Sequence, residues 1–254
     1  MAMKHEPLRI LFFPFFAPGH LLPVADMAAL FASRGARCTI LTTPVNAEII
    51  RPAVDRANGA NLGSPAIDIS LMPFPDVGLP PGVENVMAMA TFQVDYRAQF
   101  MQAIELVREP FERFLADHRP DAVVSDGLFS WSVDAAAAHG VPRLVFLGTS
   151  VFARSCSDST LRNNPLEACP PGDDDPDALV SLPGLSHRVQ LTRRQMLDPW
   201  KQPEEWAFQQ SNNAADQRSF GEVFNSFREL EPDYVEHIHA TLGRRAWRRG
   251  SSGP

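Results

Sequence analysis

Residues 10–20, Ile-Leu-Phe-Phe-Pro-Phe-Phe-Ala-Pro-Gly-His, decide the fold of this chain. Residues 10–16 are largely apolar and have the length of a strand, and a helical pattern follows the turn and ends at Gly35. The next run, residues 38–42, is short and β-branched, which predicts a second strand. A strand, a helix and a strand within about 35 residues predict a βαβ unit.

The alternation of strands and helices continues along the chain. We predict further strands at residues 67–71, 122–125, 143–147 and 222–225. We predict further helices at residues 46–56, at 86–118 with a break near Pro110, at 131–139, in pieces over 192–218, and up to about residue 242. Residues 73–81 and 165–183 are predicted loops. Apolar strands joined by helices are typical of a parallel sheet covered on both faces, so we predict an α/β fold with a doubly wound, mostly parallel, Rossmann-like sheet.

The composition argues against several classes of protein. The chain has 254 residues, of which 44% are hydrophobic, so it can bury a sizeable core. Its net charge of -7 argues against a nucleic-acid-binding surface, and no stretch has the length of a transmembrane segment. The three cysteines, Cys38, Cys156 and Cys169, are too few and too scattered for a disulfide framework or a zinc site. They indicate reduced thiols, and we expect a cytoplasmic protein.

Two polar residues follow predicted strands at the point where a ligand would bind. In an open parallel sheet, ligands bind beyond the carboxyl ends of the strands, near the switch in strand order. His20 follows the first predicted strand and Asp126 follows the fourth, so both are expected at the same edge. The dipole of the helix that His20 opens would lower its pKa and favour the neutral imidazole of a general base, which Asp126 would orient. The alternative hypothesis is that His20 only caps the turn and that Asp126 is the N-cap of the next helix.

Gly19 and several aromatic residues lie at the same predicted edge. Gly19 has no side chain to shield the imidazole that follows it. Phe15, Phe129 and Trp131 are either core residues or walls of an apolar pocket suited to a hydrophobic or aromatic small molecule. The single glycine of the turn argues against a dinucleotide site, and neither a G-x-S-x-G elbow nor a P-loop lysine motif occurs in the sequence.

At these residues the sequence resembles the N-terminal lobe of a plant family 1 UDP-glycosyltransferase, an enzyme of the GT-B fold. Residues 12–23 (FFPFFAPGHLLP) resemble the opening strand and histidine loop of the family. Residues 123–126 (VVSD), with Trp131, resemble its aspartate segment, and residues 145–150 (VFLGTS) resemble the strand and loop near the donor sugar. Residues 182–185 (LPGL) and 225–232 (NSFRELEP) resemble late signatures of the lobe.

The resemblance implies a mechanism of inverting glycosyl transfer. His20 would deprotonate a hydroxyl of a small hydrophobic acceptor, phenolic or terpenoid-like, and Asp126 would balance the charge on the imidazole. The hydroxyl oxygen would then attack the anomeric carbon of a UDP-sugar, the co-substrate, and displace UDP. The resemblance implies no metal and no further cofactor.

The resemblance also implies roles for the residues around this pair. The residues expected to bind the acceptor are Phe15, Gly19, Phe129 and Trp131. Thr149 and Ser150 would contact the donor sugar, while the alternative is that both are ordinary turn hydroxyls that bond to nearby backbone.

The end of the sequence departs from the family. The H-C-G-W element of the lobe that holds UDP does not occur in these 254 residues. We therefore predict an acceptor-binding lobe at residues 1–243 and a truncated linker or tail at 244–254, and we expect this chain to be inactive alone. A non-catalytic module that binds a small molecule or a partner, and an unstable fragment without function, are the alternative hypotheses.

Overall fold

The computed structural model of the chain describes residues 6–60, 63–168, 175–242 and 246–248. The chain forms two compact units, which divide between Gly148 and Thr149. The single lobe expected over residues 1–243 therefore clusters into two parts, and its role in acceptor binding stays a prediction.

The first unit alternates strands with helices. Its strands are β1 (Arg9–Phe13), β2 (Arg37–Thr42), β3 (Ile67–Leu71), β4 (Ala122–Asp126) and β5 (Arg143–Phe146). Its helices are α1 (Pro18–Ala32), α2 (Pro44–Ala60), α3 (Val86–Met89), α4 (Arg97–Leu106), α5 (Arg108–His118) and α6 (Ser132–Ala138).

The strands of the first unit form a parallel sheet in the order β3-β2-β1-β4-β5. Leu11 of β1 pairs with Thr39 of β2 on one side and with Val123 of β4 on the other. The chain runs outward from β1 to β3 and then returns to place β4 on the other side of β1. The switch in strand order thus lies between β1 and β4. The predicted doubly wound, parallel α/β fold is confirmed.

Side chains alternate between the two faces of β1, and helices cover both faces. Leu11 and Phe13 belong to a buried cluster with residues of α4, α5 and α6, such as Phe111. On the opposite face, the Phe12 ring lies 5.8 Å from the Phe31 ring of α1, in an edge-on arrangement. Each fully buried phenylalanine side chain contributes about 1.5–3 kcal/mol through removal from water. The uniformly apolar character of residues 10–13 follows from this double coverage.

The predicted long helix over residues 86–118 is three helices, and the boundary between α4 and α5 at Val107 corresponds to the break predicted near Pro110. The helical conformation ends between α3 and α4, whereas Val107, which separates α4 from α5 and lies shortly before Pro110, keeps right-handed helical φ and ψ angles. Pro110 is the third residue of α5, where the missing N–H has no intrahelical carbonyl to bond. A proline in this turn therefore does not interrupt the helix.

The second unit is more irregular than the first. Its helices are α7 (Val151–Asn163), α8 (Pro203–Gln217) and α9 (Pro232–Leu242), with short 3-10 turns at Pro165–Ala168 and Arg193–Gln195. Strands β6 (Leu179–Leu182) and β7 (Val189–Thr192) form an antiparallel hairpin, whereas β8 (Gly221–Phe224) and β9 (Ala246–Arg248) pair in parallel. The hairpin begins in a region predicted as a loop, so that prediction was wrong for β6.

A buried ion cluster joins three elements of the second unit. Arg154 of α7 is 6% exposed, and its guanidinium lies 3.1 Å from the carboxylate of Glu222 on β8. The same guanidinium lies 3.6 Å from Asp216 of α8, and both carboxylates are almost fully buried. Because the charges are removed from water together, each depends on the others for its stability.

Two of the three cysteines predicted to be reduced thiols lie among the described residues. Cys38 is a buried free thiol, and burial raises its pKa to about 12. Cys156 is also a free thiol, whereas Cys169 lies outside the described residues.

Residues 246–248 of the predicted tail form β9, and residues 244–245 and 249–254 lie outside the described residues. Within the described parts of the chain, no helix combines the length and the apolar character that crossing a membrane requires.

Candidate active site

The turn after β1 places His20 in the first turn of a helix. Ala17 has an extended conformation, and Pro18 begins α1 with the φ angle that a helix requires. The backbone N–H groups of His20 and Leu21 both donate to the carbonyl of Ala17, at 2.9 Å. A Cβ atom on Gly19 would meet no atom within 4 Å other than those of its two chain neighbours, so the residue has room on this side.

Asp126 ends β4, and its carboxylate contacts the ring of His20. Nδ1 of His20 lies 2.6 Å from Oδ2 of Asp126, and the side chains are 26% and 1% exposed, respectively. The other carboxylate oxygen accepts a hydrogen bond of 3.0 Å from the backbone N–H of Leu128. Because β1 and β4 are parallel neighbours, their carboxyl ends bring these residues together at the switch in strand order. Their catalytic role stays a prediction.

Buried polar groups hold the end of β4 in place. The Arg143 guanidinium, on β5, donates a hydrogen bond of 3.1 Å to the main-chain carbonyl of Asp126. The hydroxyl of Ser125 donates to that of Ser132, which donates in turn to the carbonyl of Phe129. Sequence reasoning did not single out Arg143. Its signal was a charged residue within a run predicted to be a buried strand.

Gly148 packs against the imidazole and was also not singled out. A Cβ atom built at this glycine would lie 3.6 Å from Nδ1 and 3.7 Å from Cε1 of His20. Its φ angle is +68°, a conformation that side-chain-bearing residues rarely adopt. The glycine therefore allows the backbone of the β5 loop to turn beside the ring.

The pKa of His20 is raised, contrary to the expectation from the helix dipole. Burial of the ring lowers the pKa, but the hydrogen bond that the ring donates to Asp126 and the charge of that carboxylate together outweigh burial. The net direction is upward from the ordinary value of 6.5. The carboxylate therefore favours the protonated imidazole and makes His20 a stronger base than a free histidine.

The predicted aromatic residues surround the pair to different extents. The ring of Phe15 lies 5.5 Å from that of His20, and Phe15 is 7% exposed. Phe129 has no exposed surface and stacks on Phe13 at 4.4 Å, which makes it a core residue. Trp131 is 7% exposed and packs edge-on against Phe111. The geometry of Phe129 therefore favours a role in the core. Acceptor contact stays a prediction for Phe15, Phe129 and Trp131.

Thr149 and Ser150 begin the second unit. The side chain of Ser150 accepts a hydrogen bond of 3.1 Å from the backbone N–H of Ala153, so Ser150 is the N-cap of α7. The capping interaction agrees with the alternative of a turn hydroxyl. It leaves contact of Thr149 and Ser150 with a donor sugar as a prediction.

Metal chemistry has no visible centre in the described parts of the chain. These residues include no group of three or more His, Cys, Asp or Glu side chains arranged to hold a metal ion. The arrangement around His20 is that of a single oriented base, with one carboxylate on one ring nitrogen.

Comparison with known proteins places the chain beside plant glycosyltransferases. No protein-family model matches the chain. Scopoletin glucosyltransferase of Nicotiana tabacum is 40% identical over 248 residues, which are 96% of this chain and 50% of the tobacco protein. UDP-glycosyltransferase 73B3 of Arabidopsis thaliana is 37% identical over 252 residues, which are 97% of this chain and 51% of that protein. The chain thus spans about half the length of the curated relatives it matches.

Solved structures give the same result for the fold. The crystal structure of Glycyrrhiza uralensis UGT73P12 with glycyrrhetinic acid 3-O-monoglucuronide matches with a TM-score of 0.82 and 34% identity. The match covers 96% of this chain and 49% of that one. Arabidopsis thaliana UGT89C1, at 22% identity and a TM-score of 0.64, shares the fold. Almost the whole length of this chain is therefore similar to about half the length of each of these plant UDP-glycosyltransferases.

Proposed function

We propose that this chain is the acceptor-binding, N-terminal half of an inverting UDP-sugar-dependent glycosyltransferase. The observation that carries the proposal is the contact of 2.6 Å between His20 and Asp126 at the switch in strand order. The similarity to plant UDP-glycosyltransferases over 96% of the chain supports the same conclusion independently.

The ring of His20 acts as the general base. Its Nδ1 is bonded to Asp126, so the proton on that nitrogen points to the carboxylate and Nε2 carries the free lone pair. Nε2 takes the proton of an acceptor hydroxyl as the oxygen bonds to the anomeric carbon of the sugar. The bond from that carbon to the UDP oxygen breaks with inversion, and UDP leaves with the electron pair. Asp126 stabilises the imidazolium that results.

The acceptor is a small hydrophobic molecule with a hydroxyl group. Phe15 presents an aromatic ring beside the base, which suits an apolar or aromatic ligand. The names of two relatives specify scopoletin and an anthocyanin as the compounds that those proteins glucosylate. For this chain we infer phenolic or terpenoid-like acceptors.

We infer that the UDP group of the donor is not bound by the residues named around His20. The H-C-G-W element does not occur in the 254 residues. The chain by itself is therefore proposed to bind acceptors without turning them over, as a small-molecule-binding module would. We also place it in the cytoplasm, which the free thiols of Cys38 and Cys156 support.

A fusion experiment tests the proposal. The chain is joined to the C-terminal half of the tobacco relative and assayed for UDP release with a panel of flavonoids and phenols. We expect turnover by the fusion, and acceptor binding by calorimetry but no turnover by the 254-residue chain. A folded fusion that releases no UDP with any acceptor would contradict the proposal. Acceptor binding without turnover in both proteins would favour the non-catalytic module.

A further inference from the structure

A cavity of about 240 Å³ lies at the amino ends of the parallel strands of the first unit, at the opposite end of the sheet from His20 and Asp126. Arg9 and Arg37, which are the first residues of β1 and β2, line this cavity, and Asp68 of β3 lines it as well. A cavity of roughly 150 Å³ holds a benzene molecule, so this volume has room for one ring with its substituents.

The two arginines stand side by side in the sheet. Arg9 and Arg37 are direct partners in the register of the parallel strands β1 and β2, and both residues line the cavity. Neighbouring strands lie about 4.8 Å apart, and like charges at paired positions repel each other. An anion bound to both guanidinium groups would offset this repulsion.

The two guanidinium groups differ in their partners. That of Arg9 donates a hydrogen bond of 3.2 Å to the carbonyl of His118 and lies 3.4 Å from the carboxylate of Asp121. Arg37 is exposed, and in the described parts of the chain no carboxylate forms an ion pair with it. The guanidinium of Arg9 is therefore held in position, whereas that of Arg37 keeps its N–H donors for a ligand.

The C-terminal end of α5 forms an aromatic wall of the cavity. The rings of Phe114 and His118 lie 3.9 Å apart and are nearly parallel, at an angle of 9°. Nδ1 of His118 lies 3.1 Å from the main-chain carbonyl of Phe114, and this contact orients the imidazole. The ring of Phe114 is half-buried and packs against the core of the first unit. A planar ring of a ligand can pack on this wall.

Asp68 places a hydrogen-bond acceptor at a distance from the arginines. It is the register partner of Thr39, which lies two residues beyond Arg37 along β2. Two residues of a parallel strand span about 6.6 Å, which is close to the distance across a benzene ring with a substituent at each end. An ionised carboxylate only accepts hydrogen bonds, so the ligand group beside Asp68 must be a donor such as a hydroxyl.

We propose that this cavity binds a small aromatic carboxylate that carries a hydroxyl group on its ring. The carboxylate bonds to Arg9 and Arg37. The ring packs on Phe114 and His118, and the hydroxyl donates to Asp68. The position of the cavity at the amino ends of the strands separates it from the proposed acceptor site, so this inference does not depend on the proposed function.

Titrations of the 254-residue chain, followed by NMR, test this inference. Backbone amide resonances are recorded with 4-hydroxybenzoate and with 4-hydroxybenzamide, a neutral molecule of nearly the same shape. We expect saturable shifts at Arg37, Thr39 and His118 with 4-hydroxybenzoate. The amide should bind at least about fivefold more weakly, since it lacks the charge that the arginines recognise. Benzoate should also bind more weakly than 4-hydroxybenzoate, because it has no hydroxyl to donate to Asp68.

Matched variants test the roles of the charged side chains. Arg37→Gln should lower the affinity for 4-hydroxybenzoate at least about fivefold. Arg34→Gln removes the same charge from the turn before β2, outside the cavity, and should leave the affinity unchanged. Both arginines are exposed, so neither substitution should disturb the fold. Asp68→Ala should remove the advantage of 4-hydroxybenzoate over benzoate.

The positions of the shifts separate this inference from the proposed function. Because 4-hydroxybenzoate has a phenolic hydroxyl, it is also a candidate acceptor at His20. Shifts confined to Gly19, His20 and their neighbours would support the acceptor site and overturn this inference. Equal affinities for the acid and the amide, or equal effects of Arg37→Gln and Arg34→Gln, would overturn it as well. His20→Ala should retain the shifts at Arg37 and His118, so loss of one site leaves the other measurable.

Discussion

Nδ1 of His20 lies 2.6 Å from Oδ2 of Asp126, and only the histidine of this pair has an appreciable exposed surface. The carboxylate is held by the N–H of Leu128 as well as by the imidazole. The buried partner is thus fixed, and the free nitrogen belongs to the partly exposed partner. This asymmetry is what a general base that meets a ligand from solution requires.

Replacement of His20 should remove the proton-transfer step. In the fusion with the tobacco C-terminal half, His20→Ala should lower kcat about 100-fold or more, in line with the usual contribution of a general base. His139→Ala, at the end of α6, should leave the rate unchanged. Rates are measured by UDP release, with circular dichroism as the check on folding. A His20→Ala rate within a few-fold of the parent would exclude the base assignment.

Replacement of Asp126 should lower the pKa of His20. Asp126→Asn removes the charge that raises this pKa and leaves burial, which lowers it. We expect the pKa to move from above the ordinary value of 6.5 to below it, as followed by NMR titration of the ring protons. Asp121→Asn, at an exposed carboxylate paired with Arg9, should not change it. An unchanged pKa in Asp126→Asn would show that another group sets it.

The stability of the fold should fall with rising pH through the pKa of His20. Because the folded pKa is above the unfolded one, the folded chain binds the proton more tightly. The stabilisation is complete below pH 6.5 and is lost as the pH rises through the raised pKa. Urea unfolding at a series of pH values should show this fall in the chain and a smaller one in His20→Ala. Parallel curves for both proteins would contradict the expectation.

Phe129 should act on stability rather than directly on acceptor binding. Its ring has no exposed surface and stacks on that of Phe13, so Phe129→Ala should lower the free energy of unfolding by about 3–5 kcal/mol. Urea unfolding measures this change. Phe15→Leu keeps most of the buried volume and should cost less stability, while it weakens acceptor binding in calorimetry. Similar stability losses in both variants would show that Phe15 is also mainly a core residue.

The buried ion cluster of the second unit should be sensitive to loss of its cation. Arg154→Met leaves Glu222 and Asp216 without this guanidinium and should destabilise the chain by about 3–5 kcal/mol. The exposed pair of Arg228 with Glu236 provides the control, since Arg228→Met should change stability by about 1 kcal/mol or less. Equal effects of the two substitutions in thermal unfolding would contradict the prediction.

Much of the first unit could be predicted from the sequence because its strands are short apolar runs between helices. Residues 67–71 were predicted with the observed bounds, and the rule for parallel sheets placed His20 and Asp126 at one edge. The direction of the pKa shift of His20 could not be predicted, since it depends on a distance to Asp126. The packing of Gly148 on the imidazole is likewise a tertiary contact without a local sequence signal.

The second unit was harder to predict because distant residues stabilise its elements. Backbone N–H groups at the N-terminus of α7 donate hydrogen bonds to the carboxylate of Glu231, which is 80 residues from Val151. The hairpin of β6 and β7 packs against a small cluster that contains Leu166 and Met196. Strands of four residues have little local preference of their own, so only these contacts specify them.

The separation of His20 and Asp126 along the chain has a consequence for when their hydrogen bond forms during folding. The two residues are 106 positions apart, and β4 must dock beside β1 before their hydrogen bond can form. In a chain in which β4 has not yet docked, the imidazole of His20 therefore lacks the hydrogen bond to Asp126 and titrates in solvent. The NMR titration curve of one imidazole can thus measure the fraction of molecules that have completed folding.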